Sequence, residues 1–207
     1  MSKTAYLVTA GALLTACSSE APKLTAPIAV PVVSQAMQAP NGSAGAAAAN
    51  GGNFGTPLSA AEEVMPAGVV NESLARGNAI FQLNAEGTAL SYRLSVANIE
   101  NVFMAHIHRG PVGTNGPIVV WLFPSTAPVQ GATGGGRVDG VIAEGTITAA
   151  NLVGVLAGQP LSALLADLTS GNAYVNVHTN DGIAPINTGP GDFPGGEIRG
   201  QTEHRGR

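Results

Sequence analysis

The chain has 207 residues and a formal net charge of −4, with 11% charged and 4% aromatic residues. That balance excludes a nucleic-acid binder working through a basic face, and a chain kept disordered by its own charge. A single cysteine excludes an internal disulfide framework and a cysteine zinc site, while 28 Gly and 14 Pro call for many turns and short elements.

The chain opens with Lys3 and then a mostly apolar run over residues 5–16, long enough for a secretory signal and too short to span a bilayer. Leu14-Thr15-Ala16 followed by Cys17 resembles a bacterial lipobox. The resemblance implies that residues 1–16 are a signal peptide and that the Cys17 thiol accepts a lipid. The membrane is then a partner through the N-terminal anchor, and the protein belongs to the bacterial cell envelope. Ser18, where an Asp would hold a lipoprotein at the inner membrane, points to the outer membrane. Residues 17–55 are rich in Ala, Pro, Gly and Ser, with prolines at 22, 27, 31 and 40. That composition predicts a flexible tether behind the lipidated cysteine.

From residue 56 the pattern changes to short strands and Gly-rich turns. Residues 79–83 read as a strand. Residues 89–96 alternate at period two, placing Leu90, Tyr92, Leu94 and Val96 on one face. Residues 102–108 form a denser apolar run, closed by a Gly/Pro cluster over 110–117. Residues 118–123 are a further strand, and 138–147 supply one or two more. Residues 149–156 and 160–167 suit short helical turns, with Leu161, Leu164, Leu165 and Leu168 at helical spacing. Residues 173–179 and 196–202 complete seven or eight strands. The expected fold is all-β, a Greek-key sandwich or barrel over residues 56–203, with a solvated tail at 204–207.

Four segments in order resemble the CHRD domain, a module found in the extracellular protein chordin and alone in bacterial proteins. They are residues 58–64 with Pro66, then Ala105-His106-Ile107-His108-Arg109-Gly110 with Asn115-Gly116-Pro117, then Tyr174-Val175-Asn176-Val177-His178-Thr179, and last Pro194-Gly195-Gly196-Glu197-Ile198-Arg199-Gly200-Gln201. The resemblance covers roughly residues 57–203. It implies an immunoglobulin-like β-sandwich or barrel, distantly similar to copper/zinc superoxide dismutase, and no settled activity.

Residues i and i+2 of a strand share a face, so Met104, His106 and His108 project together, the two imidazoles roughly 7 Å apart. If the strand bearing His178 lies alongside, three histidines converge and suit copper or zinc with an open position. Met104 is a candidate soft donor for copper. Asp181, Asp192 and Glu197 are candidate carboxylate ligands or acceptors that orient a ring. Arg199 shares a face with Glu197, so an Arg–Glu pair bracing the last strand is expected. Two readings of the histidines stay open: a metal site, or rings that hydrogen-bond to the backbone and fasten the fold.

The likeness to the dismutase rests on His106-Ile107-His108 and His178. The chain departs from that pattern in lacking a fourth convergent histidine, a zinc subsite and a disulfide, which puts dismutase activity in doubt. The expected function is therefore a non-catalytic binding module with a three-histidine copper or zinc site. The alternatives are a structural or adhesive module for a protein or glycan, and a redox enzyme. Loops 110–117 and 181–195 directly follow the histidine-bearing strands and are the expected recognition surface.

Overall fold

A computed structural model describes residues 52–127 and 132–204. The signal peptide, Cys17 and most of the tether lie outside the described residues. The elements are β1 (Asn53–Ser59), β2 (Arg76–Leu83), β3 (Leu90–Glu100), β4 (Val102–Arg109), β5 (Ile118–Phe123), β6 (Arg137–Ile147), α1 (Leu161–Ser170), β7 (Ala173–Thr179), β8 (Ile198–Gln201) and the two-residue β9 (Glu203–His204). Single 3-10 turns cover Ala60–Glu62, Ala149–Asn151 and Gly154–Leu156.

All strands pair antiparallel in one sheet, in the order β5-β4-β7-β8-β1-β2-β3-β6, with β9 beside β1. Neighbours such as β4 with β7 and β3 with β6 are distant in sequence, as Greek-key connections require. The sheet curls until its ends approach. Tyr92 Oη on β3 donates to the Leu122 carbonyl on β5 at 3.0 Å, so the barrel is nearly closed. Closure needs bending, and β3 bends where its register with β6 shifts, between Leu94 and Ser95 and between Val96 and Ile99. Asn98 takes φ 57° inside the second shift, and its N–H donates to Asp139 at 2.7 Å.

The barrel interior follows the alternation in the sequence. Ala79, Phe81 and Leu83 of β2 point inward, as do Leu90, Leu94 and Val96 of β3, with Ala105 and Ile107 of β4. Tyr92 packs against them half-buried. α1 begins after Pro160 and ends at Gly171, which takes the left-handed conformation (φ 68°) that favours glycine. Its Leu161, Leu164 and Leu168 join the same core. Each fully buried leucine contributes roughly 1.5–3 kcal/mol of transfer free energy.

The sequence did not reveal β1. Its run Asn-Phe-Gly-Thr-Pro-Leu-Ser carries both Gly55 and Pro57, which argue against a strand. Pro57 is tolerated because β8 pairs with β1 at Ser59 and β9 pairs at Phe54 and Gly55, leaving Pro57 in the gap between them. β1 starts within the stretch expected to be tether, and Phe54 is buried in the core. At the other end, His204 is exposed yet paired in β9, with its ring edge-on to Phe54 at 5.4 Å. Residues 138–147 form part of a single strand, and the last long strand is shorter than the expected 196–202.

β7 is buried along its whole length. An antiparallel strand with one solvated face would alternate. Here Ala173, Val175 and Val177 fill the barrel, while Tyr174, Asn176 and His178 face outward beneath loops. That covered outer face, shared with β4 and β8, is where the polar residues collect.

Candidate metal centre

β4 and β7 pair with Met104 opposite His178, His106 opposite Asn176 and His108 opposite Tyr174. Alternation therefore sets His106, His108 and His178 on one outer face, and the pairing of β4 with β7 brings them together. One ring nitrogen from each lies within 4.8 Å of the others. His106 Nδ1 and His178 Nε2 are 3.1 Å apart. Ligand nitrogens on a tetrahedral zinc are about 3.3 Å apart, so this pair already has the spacing of two donors on one ion. The His106 ring is also edge-on to His108 at 5.2 Å between centroids.

Two rings are held in one orientation by backbone carbonyls. His108 Nδ1 donates to the Gly116 carbonyl at 2.8 Å, and His178 Nδ1 donates to the Pro194 carbonyl at 2.9 Å. That choice of tautomer makes the ε-nitrogen of each ring an acceptor, as in metal-bound histidines; without an ion, His178 Nε2 accepts the His106 Nδ1–H at 3.1 Å. Among the described residues His108 Nε2 is buried and has no hydrogen-bond partner; His106 Nε2, also unpartnered, is the nitrogen opposite the one that faces His178. A buried acceptor such as His108 Nε2 without a donor is uncommon in folded proteins and fits a metal ligand. The donor set, neutral imidazole, suits copper and zinc.

The cluster is dry. His106 is 0% exposed, His178 4% and His108 9%. Burial holds the His106 imidazole down to about 2, helped by His178 and His108 nearby. Burial likewise pulls His178 down to about 4 against the raising effect of its bond to Pro194. His108 is also lowered, mainly by burial. All three rings are therefore neutral near pH 7, as ligands must be.

Two loops lie over the histidines, and each is tied down by a buried side chain of the Glu197–Arg199 segment. The Arg199 guanidinium donates to the carbonyls of Thr114 (3.0 Å) and Pro111 (3.3 Å) and to Asn115 Oδ1 (3.1 Å). It also lies over the Tyr174 ring, 3.4 Å from the centroid. Tyr174 in turn stacks on His108 at 4.8 Å with the planes 6° apart, and its Oη accepts the Gly116 N–H at 2.9 Å. Gly116 must be glycine here, because a Cβ would run into the Arg109 carbonyl. The Glu197 carboxylate accepts from Ser73 Oγ (2.5 Å), Thr179 Oγ1 (2.6 Å) and the Gly191 N–H (2.8 Å). Thr179 Oγ1 accepts the Phe193 N–H at 3.0 Å, which fixes the chain beside Pro194.

The expected Arg–Glu pair is therefore corrected. Period-two alternation holds only within a strand, and Glu197 precedes β8, just after Gly196 at φ 133°. Glu197 and Arg199 form no ion pair; those among the described residues are Arg109–Asp167 (3.0 Å) and Arg137–Asp139 (2.9 Å). The expected carboxylates are also elsewhere. Asp181 accepts the Ile183 N–H at 2.8 Å in an exposed turn, and Asp192 accepts from Thr188 N–H and Oγ1. Carbonyls, not acids, orient the rings. Met104 is half-buried opposite His178.

Sequence reasoning missed Trp121, whose ring meets His106 at 4.2 Å and 86°. The pairing of β4 with β5 puts it there, and nothing local announces that register. It also missed Glu63, which reaches Asn176 at 3.5 Å and whose carboxyl is raised by burial.

The fold and this cluster define an all-β barrel module carrying a buried three-histidine group beneath two anchored loops. The chain belongs to the CHRD domain family, which matches residues 54–202. No curated protein and no solved structure matches it.

Proposed function

We propose that this chain is a lipid-anchored cell-envelope protein displaying one CHRD domain as a non-catalytic binding module, with His106, His108 and His178 holding a copper or zinc ion. The observation that supports the ion is the buried, unpartnered ε-nitrogen of His108 on a ring whose δ-nitrogen is spent on Gly116. A bound ion supplies a cross-link between β4 and β7. Burial of all three rings supports holding an ion rather than turning over a substrate at it. The run ending in Leu14-Thr15-Ala16-Cys17 supports the anchor.

The test is the metal content of the full chain, made untagged in a bacterium, extracted in detergent and measured by mass spectrometry. The expected result is close to one copper or zinc per chain, lost in His178→Ala. A chain that arrives empty and takes up neither metal in titration overturns the reading. Labelling with a fatty-acid precursor, abolished by Cys17→Ser, tests the anchor separately.

A second reading, in which the module contacts a protein or glycan, is favoured by exposed apolar side chains on the same two loops. Val112 is 69% exposed and Ile183 68%. Envelope cross-linking that captures a partner in the parent chain and not in Val112→Asp or Ile183→Asp checks it.

A further inference from the structure

The charge around the histidines narrows the choice of metal, an inference that rests on the metal reading above. Among the described residues the cluster contains three neutral donors and no carboxylate: the group that converges is His106, His108 and His178. Of the acids of neighbouring segments, Glu197 is committed to Ser73, Thr179 and Gly191, and Glu63 Oε1 accepts from Val64 and Asn176 while its Oε2 is buried without a partner, outside the converging group. The charge that lies against a histidine through stacked rings is positive, with Glu63 offsetting part of it from the far side of Asn176. Arg199 lies on Tyr174, and Tyr174 lies on His108.

A cation entering this layer leaves water without an anion among its ligands. The cost of burying charge grows as its square, so a divalent ion costs about fourfold what a monovalent ion does at equal radius. Zinc in addition completes four-coordination, commonly with water or an anion at the fourth position. With His106 at 0%, His178 at 4% and His108 at 9% exposure, and with Trp121 against His106, the site offers that position little solvent. A soft monovalent ion is content with three nitrogens. Met104, opposite His178 on the same face, adds a thioether of matching softness nearby.

We infer that the three-histidine centre is selective for monovalent copper over zinc and over divalent copper. Selectivity arises from the neutrality and burial of the donor set and not from imidazole itself, which zinc and divalent copper also accept. A hundredfold preference for the monovalent ion over the divalent one raises the potential of the bound couple by about 120 mV relative to free copper.

The experiment is competition titration of the full detergent-solubilised chain under anaerobic conditions. Cuprous ion is delivered from a chromogenic cuprous chelator, and zinc and cupric ions from their own indicators. The expected result is one cuprous ion per chain, with zinc and cupric ions each bound at least a hundredfold more weakly. Zinc or cupric binding within tenfold of cuprous overturns the selectivity and leaves the metal reading standing. Failure to bind any of the three overturns the metal reading itself. Met104→Glu supplies the missing anion from a half-buried position. Compared with Met104→Leu, which removes only the thioether, it is expected to narrow the gap between zinc and cuprous ion by at least tenfold, and an equal gap in the two variants counts against the charge argument.

Discussion

Glu197 and Arg199 lie two residues apart, are both buried, and do not touch; each ties down a different loop over the histidines. Arg199 holds residues 111–116, which present the Gly116 carbonyl to His108. Glu197 holds residues 191–193, next to the Pro194 carbonyl that meets His178. The two rings are thus oriented through loops, and the loops through one short segment. Arg199→Met removes the guanidinium bonds to Pro111, Thr114 and Asn115. It is expected to cost on the order of 3 kcal/mol in chemical denaturation and to weaken metal binding. Glu197→Gln keeps the shape but supplies an amide where three donors need an acceptor, and is expected to cost about 1–3 kcal/mol. Both losses are read from denaturation midpoints of the metal-free chain.

Much of the barrel was legible in the chain because its strands alternate. Leu90, Tyr92, Leu94 and Val96 mark the inner face of β3 without any knowledge of neighbours. The pair His106 and His108 is legible for the same reason. What the sequence hides is whatever a register decides. Trp121 reaches His106 only because β5 pairs with β4 in one particular alignment. β1 is hidden because its stability comes from β2 alongside it rather than from its own Gly- and Pro-bearing residues. The Glu197–Arg199 expectation failed because Glu197 lies before β8 begins and its carboxylate is taken by Ser73, Thr179 and Gly191, partners that only the tertiary fold supplies.

Acid is expected to destabilise the domain through its histidines. The folded rings protonate only near pH 4 for His178 and near 2 for His106, whereas in the unfolded chain they protonate near 6.5. Below about pH 6.5 the unfolded state therefore binds more protons, and stability falls as pH drops toward 4. The contribution of these rings is fully present above 6.5. His178 alone accounts for about 3 kcal/mol of the loss by pH 4. Urea midpoints of the metal-free chain between pH 7.5 and 4 measure this, and His178→Gln is expected to flatten the dependence. Equal slopes in the two proteins refute the assignment.

Gly116→Ala tests whether the loop positions His108. The new Cβ meets the Arg109 carbonyl, so the loop must shift and the His108–Gly116 bond lengthens or breaks. A ring freed from that bond loses its fixed tautomer. Metal affinity is expected to fall by roughly 10–100-fold, the range typical for losing an orienting partner of a ligand. Nitrogen chemical shifts of His108 should at the same time report a mixture of tautomers in the metal-free chain. Unchanged affinity together with a displaced loop would show that the carbonyl serves the fold alone.

Trp121 provides a direct optical test, since it is the single tryptophan of the chain and its ring lies 4.2 Å from that of His106. An ion held by the three histidines sits close enough to alter indole emission. Copper, which opens electron-transfer routes for the excited indole, is expected to quench strongly. Zinc, closed-shell and redox-silent, is expected at most to shift the spectrum. His178→Ala leaves the Trp121–His106 contact in place and removes one donor, so its copper quenching should need a much higher copper concentration. Quenching that survives unchanged in His178→Ala would place the copper elsewhere, and the convergence of β4 and β7 on one ion would be wrong.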